Sequence, residues 1–162
     1  MRCSAFAGDT ISCYDTSPVT PPIHARDLRP GEYRALAELR YRIRRFLRFS
    51  EAAARDAGLE PQQHQLLLAV KGMPAERVAS IGDVADRLQL KPNSVDELVR
   101  RVEQRGLITT KRGESDRRQV IVSLTADGEE ALRELSLEHL EELRAEARSL
   151  LDGLEQLVGP RR

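Results

Sequence analysis

The stretch 111-KRGESDRRQVIVSLTADG-128 changes character partway along its length. Its first eight residues carry four basic side chains, two acidic ones and a glycine, a composition typical of an exposed turn. From Val120 to Leu124 the residues alternate so that one face of a strand would meet a core. A partner strand is predicted from Leu107 to about Lys111. The stretch therefore predicts a hairpin with a charged tip, and considered alone that tip is equally well a solvated turn.

Two short helices are predicted directly before this hairpin. The segment 80-SIGDVADRLQL-90 opens on Ser80 with Asp83 three residues later, which is a capping-box pattern. The segment 91-KPNSVDELVRRVEQRGL-107 opens on Pro92, a residue suited to a first helical turn. Two short helices joined by a tight turn form a helix-turn-helix, whose second helix presents its N-terminal residues to the DNA major groove. In this context the charged hairpin is interpreted as a wing that contacts phosphates or the minor groove.

Helical patterns flank this unit on both sides. Residues 31–60 are predicted to form a first helix, residues 61–124 the winged helix-turn-helix, and residues 125–162 C-terminal dimerisation helices of which the last is short. Thr125 is a good N-cap for the third segment. Its leucine stripe is more than one winged helix can cover, which predicts a homodimer. The candidate dimer contacts are Leu36, Ile43, Leu143, Leu150, Leu154 and Leu157.

Composition excludes several classes of protein. The chain has 162 residues, 40% of them hydrophobic, and no apolar run approaches the ~20 residues of a membrane span, so we expect a cytoplasmic protein without a membrane partner. Its formal net charge is zero, but residues 91–118 carry eight basic and five acidic side chains, whereas residues 125–158 are strongly acidic. This segregation predicts one surface that meets a polyanion.

Residues 1–30 hold four prolines and no sustained period, so we expect an irregular arm with Cys3 and Cys13 as ordinary thiols. His24, His64 and His139 each lack a second ligand at metal-binding spacing. No metal site and no cofactor are predicted. The sequence also offers no phosphate-binding loop and no pattern of nucleophile and base, which argues against an enzyme.

Three segments together resemble the MarR family of bacterial winged-helix transcription regulators: 81-IGDVADRL-88, 94-SVDELVRRVEQRGLI-108 and 116-DRRQVIVSLTADG-128. The last is the most diagnostic, because Asp116, Arg118, the alternating strand and the Leu-Thr-x-x-Gly entry to a helix occur at fixed spacing. The resemblance runs from about Tyr33 to the C-terminus. It implies a mainly α fold (an α+β winged helix-turn-helix) with a two-stranded wing and a helical dimerisation arm built from the N- and C-terminal helices.

The resemblance also implies a function. It implies a homodimeric, sequence-specific regulator of transcription, expected to be a repressor, that binds a pseudo-palindromic operator in double-stranded DNA and is released by a small hydrophobic or phenolic effector. Carried over by position, the recognition-helix residues are Lys91, Asn93, Ser94, Glu97, Arg100 and Arg101. The wing residues are Lys111, Arg112, Arg117 and Arg118, with Asp116 orienting Arg118.

Two departures from the family pattern bear on these expectations. Many relatives carry Thr-Arg where this chain has Asp96 and Glu97, and Glu97 either accepts from a cytosine amino group or pairs with Arg100 or Arg101. The oxidation-sensing relatives keep a reactive cysteine early in the first long helix, and this chain has none from Tyr33 to its C-terminus. An alternative function is a winged helix used for protein contact, without specific DNA binding.

Overall fold

The computed structural model describes residues 27–74, 76–114 and 116–158. The predicted irregular arm, with Cys3, Cys13 and His24, lies outside these residues except for positions 27–30. Along the described ranges the elements are α1 (Pro30–Asp56), α2 (Pro61–Lys71), α3 (Ile81–Leu88), α4 (Pro92–Gln104), β1 (Ile108–Arg112), β2 (Val120–Leu124) and α5 (Ala126–Val158). The predicted mainly α fold with a winged helix-turn-helix is confirmed.

Local sequence signals begin the helices where they were expected. The hydroxyl of Ser80 accepts a hydrogen bond from the backbone amide of Asp83 at 3.2 Å, which is the predicted cap of α3. Pro61 and Pro92 occupy the first turns of α2 and α4, where a missing amide proton costs nothing. Thr125 caps α5, because its Oγ1 accepts from the amide of Gly128 at 3.1 Å.

The wing is an antiparallel pair in which Ile108 lies opposite Leu124 and Arg112 lies opposite Val120. The residues before α3 extend this sheet, since Val122 donates its amide to the carbonyl of Ala79 at 2.9 Å. Buried side chains from α2, α3, α4 and both strands form one core beneath the wing. The large side chains that are most completely buried are Leu66, Leu67, Val84, Val95, Val102 and Ile108, and Leu135 of α5 joins them. The core thus anchors the sheet directly beside the recognition helix α4.

The C-terminal segment differs from the expectation of several helices ending in a short one. Ala126–Val158 is a single helix of 33 residues. It contains no proline, and the residues after its first turn are mostly strong helix formers such as Glu, Leu, Ala and Arg, so nothing in the segment stops it. Its length gives α1 a partner along most of that helix.

Helices α1 and α5 form an antiparallel arm. Arg42 and Arg45 of α1 each lie 2.9 Å from a carboxylate oxygen of Glu146. Further along, Ser50 of α1 meets His139 of α5. Among the helices of the described ranges, none combines the length and apolarity needed to cross a membrane.

The candidate dimer residues lie on this arm and are only partly covered by their own chain. Leu36, Ile43 and Leu154 are 41%, 44% and 43% exposed. Leu143, Leu150 and Leu157 are half-buried. Leu47, Leu140 and Leu151 extend the exposed apolar row on the same two helices.

Candidate nucleic-acid interface

The recognition helix α4 has one apolar face and one polar face. Val95, Leu98, Val99 and Val102 are buried against the core. The opposite face carries Asn93, Glu97 and Arg100, which follow one another at spacings of four and three residues and are all exposed. Ser94 and Arg101 flank this row, and Lys91 stands at the N-cap position. All six residues predicted for this helix therefore lie at its exposed surface.

The turn between α3 and α4 depends on one unusual backbone conformation. Gln89 has a φ of 54°, in the left-handed region, and ends α3. The next amide, that of Leu90, donates to the carbonyl of Ala85 at 3.0 Å, so the chain reverses within three residues. This tight reversal sets the direction in which α4 leaves α3.

Arg100 lies between two acids of its own helix. Its guanidinium pairs with the carboxylate of Glu97, and its Nε lies 3.9 Å from Oδ2 of Asp96. Of the two roles predicted for Glu97, contact with a cytosine or pairing with an arginine, the free chain has the pairing, with Arg100. All three side chains remain more than half exposed.

The tip of the wing is held by backbone contacts. The amide of Gly113 donates to the carbonyl of Gln119 at 2.9 Å, and the amide of Gln119 donates to the carbonyl of Asp116 at 3.0 Å. A Cβ on Gly113 would lie 2.7 Å from that same Asp116 carbonyl oxygen, which explains the glycine. The carboxylate of Asp116 accepts from the backbone amide of Arg118 at 2.9 Å. Asp116 therefore shapes the turn through the backbone of Arg118, and its role in orienting the Arg118 side chain stays a prediction.

The four basic residues of the wing are exposed, namely Lys111, Arg112, Arg117 and Arg118. Within the described ranges, none of them has an ion-pair partner, in contrast to Arg100. Lys111 and Arg112 border a groove of about 260 Å³ whose other wall is formed by Asp96, Arg100 and Glu103 of α4. Wing and recognition helix thus present their charged groups on two sides of one groove.

Contacts that the sequence pattern did not reveal fasten the wing to its neighbours. Glu103 at the end of α4 accepts from both the amide and the hydroxyl of Thr110 in β1, each at 2.8 Å. Thr125 donates its hydroxyl to the carbonyl of Gly106 at 2.7 Å while it caps α5. A Cβ on Gly128 would lie 1.9 Å from the carbonyl oxygen of Leu107. This close approach explains the glycine of the Leu-Thr-x-x-Gly motif, and the contacts of Thr125 explain its threonine. The motif was the only sequence signal for these contacts.

Two histidines that look isolated in sequence meet in space. The rings of His64 in α2 and His139 in α5 are 4.7 Å apart between centroids, and both residues are buried. His139 donates from Nδ1 to the carbonyl of Leu135 at 2.5 Å, and its Nε2 lies 2.7 Å from the hydroxyl of Ser50. Burial, with a smaller contribution from His139, lowers the pKa of His64 from 6.5 to about 4. In the described part of the chain, no three His, Cys, Asp or Glu residues cluster as metal ligands.

Comparisons with known proteins show what the fold and the central part of the chain are similar to. A profile of the MarR family matches residues 57–119, from the end of α1 to the wing. The organic hydroperoxide resistance transcriptional regulator of Bacillus subtilis is 41% identical over 49 residues, which are 30% of this chain and 33% of that protein. The chain thus matches about a third of the length of this curated relative.

Solved structures extend the likeness to the helical arm. AbsC, a MarR family transcriptional regulator from Streptomyces coelicolor, superposes with a TM-score of 0.66 at 21% identity, covering 83% of this chain and 94% of AbsC. The DNA-bound structure of overoxidized AbfR gives a TM-score of 0.53 at 25% identity, covering 78% of this chain and 91% of AbfR. Relatives in both comparisons are regulators rather than enzymes. Residues 57–119 thus match the MarR family, and the chain shares the winged helix-turn-helix fold of MarR family regulators.

Proposed function

We propose that this protein is a sequence-specific DNA-binding regulator of transcription that acts as a homodimer. The observation that carries the proposal is the wing, whose four exposed cations have no acidic partner within the described ranges, beside the exposed face of α4. A chain with zero net charge that concentrates cations without ion pairs at one hairpin is suited to a polyanion. The DNA-bound AbfR structure supports the same use of this fold.

Each element has a part in this proposal. The N-terminal half of α4, with Lys91, Asn93 and Ser94, enters the major groove, where base edges can be read. Arg118 at the wing tip enters the adjacent minor groove, and Lys111, Arg112 and Arg117 contact phosphates.

The homodimer is supported by the uncovered apolar row on α1 and α5. We expect this row, which runs along both arm helices, to be buried against a second copy, because large exposed apolar patches mark interaction sites. A two-fold dimer would present two recognition helices to half-sites about 34 Å apart, so the operator would be pseudo-palindromic.

The decisive experiment is selection of bound duplexes from a random library with the full chain, followed by fluorescence anisotropy over a series of salt concentrations. We expect an enriched inverted repeat and a linear fall of log affinity with log salt. A protein-contact module, the alternative function, would enrich no sequence and bind no duplex in this salt-dependent way.

Regulation completes the proposal: the protein represses transcription, and a small phenolic or hydrophobic effector releases it. The supporting observation is Nδ1 of His64, a buried nitrogen without a hydrogen-bond partner in the described part of the chain. The ring of His64 in α2 contacts that of His139 in α5, and the His139 ring in turn contacts Phe46 and Phe49 of α1. A phenolic hydroxyl could donate to this nitrogen.

The effector proposal is tested by titrating preformed protein–DNA complexes with a panel of hydroxybenzoates. At least one hydroxybenzoate should release the parent complex, and the His64→Leu complex should need a higher concentration of it.

Repression is tested with a promoter that carries the selected duplex and a reporter, whose output should fall when the protein is expressed. A rise in reporter output would identify an activator.

A further inference from the structure

The exposed face of the recognition helix carries as much acid as base. Because Val95, Leu98, Val99 and Val102 are buried, positions 93, 97, 100 and 104 lie on the opposite side. Glu97 and Arg100 occupy the middle of that side, and Asp96 and Arg101 flank them. A helix that only had to attract DNA would carry cations there, since phosphate contacts supply most of non-specific affinity.

The ion pairs on this face do not remove the negative charge from it. Arg100 pairs with Glu97 and approaches Asp96, but all three side chains are more than half exposed. Exposed pairs of this kind are weak, so Arg100 can leave them for another partner. Both carboxylates then stay on the exposed surface of α4, with Asp96 at the groove that it shares with Lys111 and Arg112. The four wing cations form no ion pair within the described ranges, although Glu114 and Asp116 lie in the same turn, so we assign attraction mainly to the wing and discrimination to α4.

We propose that Asp96 and Glu97 form a specificity filter that makes the contribution of Arg100 depend on the bases it meets. This inference rests on the proposed function in DNA binding. On an arbitrary duplex the two carboxylates approach phosphates and hold Arg100 back, which lowers non-specific affinity. On a matching site Arg100 donates to guanine O6 and N7, and Glu97 accepts from the amino group of a cytosine. The filter therefore favours sites that place a C·G pair under the middle of α4.

The test compares the full-length parent chain with Glu97→Gln and with the double variant Asp96→Asn/Glu97→Gln. Two labelled duplexes are titrated by anisotropy over a range of salt: one selected from a random library by the parent, and one scrambled to the same base composition. In the double variant we expect affinity for the scrambled duplex to rise about three- to tenfold, because two charges near phosphates are removed. The freed Arg100 should steepen its salt slope by about one. The ratio of specific to non-specific affinity should fall, with the single variant intermediate.

The matched control is Glu141→Gln, which makes the same change of charge at an exposed position of α5. It should leave both affinities as in the parent. Melting temperatures measured on every variant establish that each one folds, and the exposed positions of 96 and 97 make a loss of folding unexpected.

Two outcomes would overturn the filter while leaving the proposed function intact. Unchanged binding of the scrambled duplex, with a salt-dependent parent, would show that the acids do not oppose phosphates. A loss of binding to the selected duplex alone would make Asp96 and Glu97 ordinary base readers. If the parent binds neither duplex in a salt-dependent way, the proposed function itself is wrong and the filter falls with it.

Discussion

At Gly128 the backbone of α5 packs so closely against the backbone of Leu107, at the start of the wing, that no side chain fits. A Cβ there would lie 1.9 Å from the carbonyl oxygen of Leu107. We predict that Gly128→Ala lowers the free energy of unfolding by about 2–4 kcal/mol, because either α5 or β1 must shift. Urea unfolding measures the change. The control is Gly82→Ala, whose Cβ would meet its nearest atom at 3.7 Å within α3. That variant should gain about 0.5–1 kcal/mol from helix propensity, and a Gly128→Ala variant as stable as the parent would contradict the close approach.

His64 should make stability depend on pH, since its folded pKa of about 4 lies below the ordinary value of 6.5. The fold favours the neutral ring, so this stabilisation is complete above pH 6.5 and is lost as the pH falls toward 4. A shift of this size corresponds to about 3 kcal/mol at most. We predict that the difference in unfolding free energy between the parent and His64→Gln shrinks by up to this amount from pH 7 to pH 4. Parallel pH profiles for the two proteins, measured at one concentration, would mean that His64 titrates normally.

At the scale of elements, the parts that local sequence specifies were predictable and the contacts between them were not. The caps at Ser80 and Thr125 and the strand Val120–Leu124 follow from residues a few positions apart. The His64–His139 pair joins residues on different helices, and its burial depends on how α1, α2 and α5 pack. Asp116 shows the same limit: the motif indicates a partnership with Arg118, but it does not indicate that the carboxylate accepts from the backbone amide of Arg118.

The wing as an element makes a graded prediction. Arg118→Ala should weaken binding of the selected duplex by about 1–3 kcal/mol, the usual cost of a lost groove contact. Arg112→Ala should weaken selected and scrambled duplexes alike and flatten the salt slope by about one, as expected for a phosphate contact. Asp116→Ala should fall between them, because it loses the 2.9 Å contact to the amide of Arg118 but keeps every cation. Three variants that bind like the parent in anisotropy titrations would reduce the wing to a solvated turn.

The whole molecule consists of a winged-helix core, whose apolar side chains are buried within one chain, and a helical arm, which leaves apolar side chains exposed. Leu66, Leu67 and Val84 of the winged helix are fully buried, whereas Leu36, Ile43 and Leu154 of the arm are each more than two-fifths exposed. The sequence pattern correctly indicated surplus apolar surface, because the leucine stripe is local to each helix. It could not indicate that α5 continues unbroken to Val158, since helix length beyond the first turns depends on packing against α1.

If that surplus surface is a dimer interface, one charge in it should separate the two copies. We predict that Leu154→Glu or Ile43→Glu shifts the protein from dimer to monomer in sedimentation velocity, because association would bury a carboxylate without a partner. Leu68→Glu is the matched control: Leu68 is 49% exposed in the single chain, compared with 43% for Leu154, but it lies on α2 outside the arm. It should sediment as the parent does. The monomeric variants should also lose most affinity for an inverted repeat and keep that for a half-site, since each winged helix has its own core. A Leu154→Glu protein that remains a dimer and binds the full repeat would place the interface elsewhere.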